Sequence, residues 1–149
     1  MATLEQIKKI REMLGSGIVD TKKALDEADG DETKAIEILR QKGLLKAAKK
    51  SDREASEGVV SAYVHPNGRI GVILKLQCES DFVARNEEFV GLARDIAMHI
   101  AAMSPKDGAE LLSQAFVKNP EQSIEGLLGE KIAKIGENIR IGEFFRVEV

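Results

Sequence analysis

The sequence predicts an α+β protein: a three-helix module, a linker, and a core in which a small antiparallel three-stranded sheet packs with helices. Apolar residues recur with a helical period through roughly the first 45 residues. Further along they alternate as in strands, on both sides of a turn motif and again at the carboxyl end. Charged and small residues separate the two regions. We therefore expect domains at 1–45 and 58–149, with 46–57 as a linker that can itself be helical.

Capping residues and glycines delimit the three helices of the first region. A threonine and a glutamine at capping-box spacing begin the first helix, and Gly15-Ser16-Gly17 ends it. The second helix stops at Gly30, a residue suited to a left-handed helix end, and Asp31 caps a third helix that ends at Gly43. Helices this short are not stable alone, so they must share one small core.

The second region begins with a predicted β-hairpin. Its turn is His65-Pro66-Asn67-Gly68, where Asn-Gly accepts positive φ at low cost. A third strand near the carboxyl end completes the sheet, because two strands alone are marginally stable. The alternating apolar residues are Val60, Ala62 and Val64, then Ile70, Val72, Leu74, Leu76 and Cys78, and finally Ile139, Ile141, Phe145, Val147 and Val149, with Arg140, Arg146 and Glu148 on the opposite face of the last strand.

Three helices are predicted between the hairpin and the last strand. Asn86 caps a long one, which ends at Ser104-Pro105 and is followed by a short helix through Leu111. The third begins at Asn119-Pro120, where a cap is followed by proline at the first helical position. Glycines within this last helix make its continuity the weakest of the three predictions.

Composition excludes several classes of protein. The 149 residues carry a formal charge of -3, which argues against bulk electrostatic capture of nucleic acid or of an anionic membrane. Five Phe, one Tyr and no Trp leave little material for a platform that stacks bases. No uncharged run approaches the ~18 residues of a membrane span, and no secretory signal is evident. A single cysteine favours a reducing compartment, so we expect a cytoplasmic protein.

No motif in the sequence composes an active site. Two separated histidines and one cysteine offer no zinc spacing, and no phosphate-binding loop or nucleophile elbow is present. Cys78 is interpreted as a buried structural thiol and His99 as an ordinary helix histidine. We expect no catalytic residue, no cofactor and no metal, hence no enzyme. A small-molecule enzyme stays as a rival class, which a cleft with clustered titratable groups would favour.

The segment Glu79–Arg85 is unusual because it places Phe82 within a charged loop after a strand. One interpretation is that the ring folds back onto the core while Ser80 or Asp81 caps a single turn. The other is that Phe82 projects as an apolar anchor of the kind that dominates protein–protein contacts. Phe144 raises the same question, because it falls on the polar phase of the last strand.

Three ordered blocks resemble the elongation factor Ts family, the bacterial guanine-nucleotide exchange factors of translation. The blocks are Arg11–Leu25, Cys78–Arg85 and Lys134–Ile139. Within the second block, Ser80-Asp81-Phe82-Val83-Ala84 is similar to the family's Thr-Asp-Phe-Val-Ala motif, and the serine keeps the hydroxyl. Three blocks at plausible spacing are more specific than any one of them.

The resemblance implies a fold, a partner and two groups of contact residues. The fold is a ubiquitin-associated-like helical module, a linker and an α+β core. The partner is elongation factor Tu, whose GDP-bound form the chain would bind. Asp81 and Phe82, with Ser80 and Val83 beside them, would enter the GTPase near its magnesium site, with Phe82 as a wedge that promotes GDP release. The residues that would contact the GTPase domain from the helical module are Gly17, Ile18, Val19, Lys22 and Lys23.

The chain also departs from the family pattern. Between Met103 and Leu111 it lacks an insertion that longer members carry, and it resembles the short form, in which two chains pair; we expect a homodimer. Lys75 stands where the family usually has Glu, and Gly142-Glu143 stand where an Arg pair is common. The reversed charge at Glu143 is the argument for the alternative function, a module that docks on a GTPase or ribosome-linked partner without exchanging nucleotide.

Overall fold

The computed structural model describes residues 1–149, and the chain forms two compact units. The first contains 1–50 with 129–136, and the second contains 51–128 with 137–149. The predicted α+β class is confirmed, with helices first and then a small antiparallel sheet packed with helices. The elements are α1 (Leu4–Leu14), α2 (Ile18–Glu27), α3 (Glu32–Lys50), β1 (Glu57–Val64), β2 (Ile70–Cys78), α4 (Asp81–Ala84), α5 (Glu87–Met103), α6 (Gly108–Ser113), β3 (Ala115–Phe116), β4 (Asn119–Ser123), α7 (Ile124–Ile135) and β5 (Arg140–Glu148).

The first and third helices begin where the sequence predicts. Thr3 and Gln6 form a complete capping box at the start of α1, and the Asp31 carboxylate accepts the Lys34 amide hydrogen at 3.1 Å at the start of α3. These helices bury one shared apolar cluster, as short helices must. Its members are Ile7, Ile10, Leu14, Ala24, Leu25, Ala28, Ala35 and Leu39.

The predicted end of the third helix at Gly43 is wrong, because α3 continues to Lys50. Gly43 is buried within the helix, and a Cβ there would lie 3.7 Å from Ala133 Cβ and from the Gly129 carbonyl oxygen. Gly129 is packed more closely still, since a Cβ there would lie 2.8 Å from the Leu44 side chain. Both glycines therefore serve close helix packing, and Gly43 does not end the helix.

The sheet has the strand order β1-β2-β5, with both pairings antiparallel. The predicted hairpin joins β1 to β2, and within its turn only Gly68 has positive φ, at +71°. Helix α5 packs across β1 and β2. The predicted inward phase of β2 is confirmed, with Val72, Leu74, Leu76 and Cys78 all buried.

A β-bulge in β5 changes which side chains face inward. Leu76 pairs with Ile141 but Leu74 pairs with Phe144, so β5 carries one extra residue between these pairs. The prediction that Ile141 and Phe145 share a face is wrong for this reason, because beyond the bulge the phase is inverted. Phe145 lies beside Ile73 on the outer face of the sheet, and Phe144 is half-buried.

Arg146 consequently lies on the side of the sheet that α5 covers. Its Nε and Nη2 donate to the Ala101 carbonyl oxygen at 3.1 and 2.9 Å. That carbonyl belongs to the last turn of α5, where helix geometry leaves acceptors without partners. The arginine therefore completes the helix end from the neighbouring strand.

The predicted helix start at Asn119-Pro120 is also wrong, since these residues form β4, which pairs with β3. Proline is tolerated there because a two-stranded ribbon is all edge. Helix α7 begins at Ile124, and the Ser123 hydroxyl accepts the Gly126 amide hydrogen at 3.0 Å. Despite Gly126 and Gly129, α7 is continuous to Ile135.

His99, interpreted from the sequence as an ordinary helix histidine on the surface or packed, is fully buried on α5. Nδ1 accepts the Val117 amide hydrogen at 3.2 Å, so Nε2 carries the proton and donates to Gln114 Oε1 at 2.9 Å. Burial lowers the pKa of this imidazole. Its neutral form thus ties the strand segment after α6 to α5.

Membrane crossing requires a helix that is both long and strongly apolar, and none of the seven meets both conditions.

Candidate functional site

Phe82 lies on α4, a single helical turn that follows β2. Ser80 is the N-cap, and its hydroxyl accepts the Val83 amide hydrogen at 3.3 Å. Ala84 is buried on the inner side of the turn, whereas the Phe82 side chain is 85% exposed. The ring projects, as the second interpretation of this segment holds, while Ser80 caps a single turn, as the first holds.

A carboxylate from a distant part of the sequence holds the residues before α4. Glu137 Oε1 accepts the amide hydrogens of Glu79 and Ser80 at 3.0 and 2.9 Å. Its Oε2 accepts the Ser80 hydroxyl hydrogen at 2.6 Å. Three charge-assisted hydrogen bonds therefore converge on one side chain. The sequence assigns no role to Glu137, although it lies in the third resembling block.

A second set of contacts runs in the opposite direction between the same segments. Glu79 Oε1 accepts the Asn138 amide hydrogen at 3.2 Å, and the Asn138 side chain donates to the Arg53 carbonyl oxygen at 2.8 Å. Asn138 is almost completely buried. In each of the two segments, 79–80 and 137–138, a glutamate carboxylate therefore accepts backbone amide hydrogens from the other segment.

Asp81 and Arg85 form an exposed ion pair along α4. Both side chains are more than half exposed, at 60% and 72%. Pairs of this kind contribute only about 0.3–0.5 kcal/mol on a helix surface. The Asp81 carboxylate is therefore held weakly and stays accessible from outside.

Cys78, just before the site, is buried and free. Its S–H donates to the Ser80 carbonyl oxygen at 3.2 Å. Burial, with a smaller contribution from the Glu137 charge, raises the pKa of this thiol to about 11. Since the thiolate is the reactive form, Cys78 is inert at neutral pH, as its interpretation as a structural thiol requires.

The second group of predicted contact residues lies at the start of α2, in the other unit. Gly17 is its N-cap, and Ile18 and Val19 are 57% and 64% exposed. Lys22 and Lys23 are exposed on the next turn. The buried Thr21 hydroxyl donates to the Gly17 carbonyl oxygen at 2.8 Å and so holds this helix start in place.

Two departures from the family pattern meet on the sheet. Lys75 Nζ lies 3.7 Å from Glu143 Oε1, between β2 and β5. Against the family pattern that the resemblance implies, both charges are reversed, and in this chain the two side chains pair with each other.

A cavity of about 440 Å³ lies beside the hairpin turn, and its polar groups are already engaged. Arg146 is bonded to Ala101 and to Glu148, and the Tyr63 hydroxyl lies 3.2 Å from His65 Nδ1. No group of three His, Cys, Asp or Glu side chains is arranged to hold a metal ion. The lining of the cavity includes the ionisable side chains of Tyr63, His65, Arg146 and Glu148, which interact in two pairs.

Comparison with known proteins agrees with the resembling blocks. The family model described as elongation factor TS matches residues 3–108 and 79–149. Curated relatives named elongation factor Ts include that of Carboxydothermus hydrogenoformans, 44% identical over 100% of this chain and 89% of the relative. The relative from Oleidesulfovibrio alaskensis is 41% identical over 99% and 97%, and that from Acetivibrio thermocellus 42% over 99% and 90%.

These matches define a translation elongation factor. The alignment with the Carboxydothermus relative runs over 194 positions while this chain has 149 residues, so the relative carries sequence that this chain lacks. The chain belongs to the elongation factor Ts family.

Proposed function

We propose that this chain is the guanine-nucleotide exchange factor of elongation factor Tu in cytoplasmic translation, and that it acts by inserting Asp81 and Phe82 near the magnesium site of the GTPase. The family supports the partner. The observation that carries the insertion is the exposed Phe82 ring on a turn held by hydrogen bonds. An apolar side chain left in water on an ordered turn is typical of a residue that a partner buries.

The proposed mechanism needs no covalent step. The GTPase holds GDP partly through Mg²⁺, a large local charge that bridges protein and phosphate. A benzyl ring inserted between elements of the GTPase displaces the groups that position this ion, and the Asp81 carboxylate, released from its weak pair with Arg85, holds the displaced arrangement. The factor leaves unchanged, so it accelerates exchange without breaking a bond.

Contacts of the helical module supply the binding energy that offsets this distortion. The exposed Ile18 and Val19, with Gly17 before them and Lys22 and Lys23 one turn further on, form the second contact. Linkage makes the effect mutual, because a factor that weakens GDP binding is itself bound more weakly by the GDP form to the same degree. A coupling of ~4 kcal/mol corresponds to about a thousandfold change in nucleotide affinity.

The proposal also includes pairing of two copies through the outer face of the sheet. Antiparallel sheets facing water usually carry polar side chains on that face, whereas this face is largely apolar, with the Lys75–Glu143 ion pair on it. A second copy related by a two-fold axis would cover it with the same surface. Its apolar members are Val60, Ala62, Val64, Ile73, Phe145 and Val147, most of them more than half exposed.

Release of a fluorescent GDP analogue from elongation factor Tu, with and without the chain, tests the exchange. We expect Phe82→Ala to lower the stimulated rate by about 100-fold, the size of a hot-spot residue. The fold should be unaffected, because the side chain buries little. Leu45→Ala is the matched control, since it also shortens an exposed apolar side chain, on α3 and outside both contacts.

Two results would contradict the proposal. Normal stimulation by Phe82→Ala would remove the wedge. Binding of the unaltered chain to elongation factor Tu without faster GDP release would identify the alternative, a docking module that does not exchange nucleotide.

A further inference from the structure

The turn that carries Phe82 cannot hold its own geometry. Helix α4 has four residues, and one isolated turn fixes many dihedral angles for very few hydrogen bonds. The ring does not stabilise it either, because 85% of the side chain lies in solvent. The position of Phe82 therefore depends on partners outside the turn.

Glu137 is the principal outside partner. Its carboxylate accepts three hydrogen bonds, at 3.0, 2.9 and 2.6 Å, all from Glu79 and Ser80, the two residues that precede α4. The Ser80 hydroxyl that donates to this carboxylate also accepts the Val83 amide hydrogen at 3.3 Å. A chain of hydrogen bonds thus runs from Glu137 through Ser80 to the residue after Phe82.

We infer that Glu137 is a positioning residue for exchange: its carboxylate fixes the turn so that Phe82 meets the GTPase already in its inserted orientation. The inference rests on the proposed function. A preordered anchor avoids the loss of conformational entropy on binding, and small displacements of a positioned group have large effects on rate. All three hydrogen bonds of Glu137 are made to Glu79 and Ser80, so in this inference it acts through the turn and does not act on the GTPase directly.

Glu137→Gln isolates the carboxylate, because an amide has almost the same shape but one of its two terminal atoms only donates. Either the backbone amides or the Ser80 hydroxyl then face a donor instead of an acceptor. The matched control is Glu125→Gln, which removes the same charge from an exposed position on α7.

The first measurement is amide hydrogen exchange in the free protein. Glu137→Gln should accelerate exchange at the amides of Glu79, Ser80 and Val83 by about tenfold, the loss of one charge-assisted hydrogen bond. Amides of the β1–β2 pairing should be unaffected, as should all amides in Glu125→Gln. Unchanged hydrogen exchange at these three amides would overturn the inference, and this measurement needs only the free protein.

The second measurement separates maximal rate from half-saturation in stimulated GDP release. Glu137→Gln should lower the maximal rate by about tenfold and leave the half-saturating concentration within about threefold. In the Phe82→Ala background it should have no further effect, because both changes act through one ring. Glu137→Asp, which keeps a carboxylate, should recover part of the rate, whereas a purely structural role predicts equal losses in both backgrounds.

The outcomes distinguish this inference from the proposed function. A slow Phe82→Ala with a normal Glu137→Gln overturns the positioning role and leaves the wedge intact. A normal Phe82→Ala overturns both, since no ring then needs positioning. If Glu137→Gln does not fold, Ser80→Ala breaks the same chain of hydrogen bonds at its middle, and the same non-additivity with Phe82→Ala is expected; additive losses would overturn the inference.

Discussion

Two exposed apolar regions of the second unit differ in how they are built. Phe82 is a single ring on a four-residue turn, and the Glu137 carboxylate holds that turn by accepting hydrogen bonds from Ser80, its N-cap. The outer face of the sheet presents several apolar side chains on regular strands held by backbone pairing. The molecule therefore exposes apolar side chains in two ways, singly on a turn and together on a sheet face.

The difference fits the two kinds of contact proposed above. A broad face on a rigid sheet suits a permanent partner of the same shape, because its area is large and its geometry is set before binding. One ring on a separately held turn suits a transient partner, since little area must be exposed again on release. Changing one region should therefore leave the function of the other intact.

The largest expected effect concerns the rigidity of the turn, which Cys78 reports because its thiol donates to the Ser80 carbonyl. With full burial and a pKa raised to about 11, the thiol should react with a disulfide reagent at pH 8 roughly a thousandfold more slowly than in the unfolded chain. Labelling kinetics, followed with and without denaturant, measure this ratio. Fast native labelling would show that the turn opens freely.

The next effect distinguishes the outer face from the ring. Phe145→Glu places a charge on the face that the proposed dimer buries and should raise the dimer dissociation constant by about 100-fold. Sedimentation equilibrium measures it. Phe82→Ala and Leu45→Glu should leave the dimer unchanged. A monomeric unaltered chain would remove the pairing from the proposal while the exchange assay still stands.

A smaller effect involves the first unit, whose exposed side chains supply affinity in the proposed mechanism. Ile18→Ala should raise the half-saturating concentration for stimulated GDP release by about tenfold and leave the maximal rate nearly unchanged. A variant at Phe82 should show the reverse pattern. If the Ile18 and Phe82 variants changed the maximal rate and the half-saturating concentration to the same extent, the two contacts would not have separate roles.

The smallest effect is a pH dependence of stability from His99. Burial lowers the pKa of His99 in the folded chain, so below an ordinary pKa of about 6.5 the unfolded chain binds the proton more readily. Its contribution to stability is complete above that pH and falls as the pH drops through 6.5 toward the folded value. The midpoint of thermal unfolding should be lower at pH 5.5 than at pH 7.5, and His99→Gln should weaken that pH dependence.

Much of the fold follows from local pattern. The capping box at Thr3, the turn ending at Gly68 and the alternation along β2 each act within a few residues, and all three are observed. The sequence also singled out Phe82 as unusual, because an apolar ring among charged residues either packs against the core or contacts a partner. Choosing between these two required the surroundings.

The failures arise where packing or strand pairing overrides a local signature. Gly43 has the signature of a helix end but is needed for close packing against residues far along the chain. Asn119-Pro120 has the signature of a helix start but pairs with β3. The bulge in β5 shifts the phase of Phe145 by one residue. The first and third outcomes depend on neighbours that are distant in sequence, whereas β3 and β4 are only a few residues apart and form a short ribbon that the helix-start signature conceals.

The sequence by itself determined the class of fold, the order of its elements and the residues that resemble a family of translation factors, because periodicity, caps and turn residues act locally. Only the tertiary structure decided that Phe82 stands in solvent, that the outer sheet face is apolar and that Glu137 holds the turn. The contact between Ser80 and Glu137 joins residues 57 positions apart. Such contacts form only when packing of the whole core brings the segments together, and no local pattern encodes them.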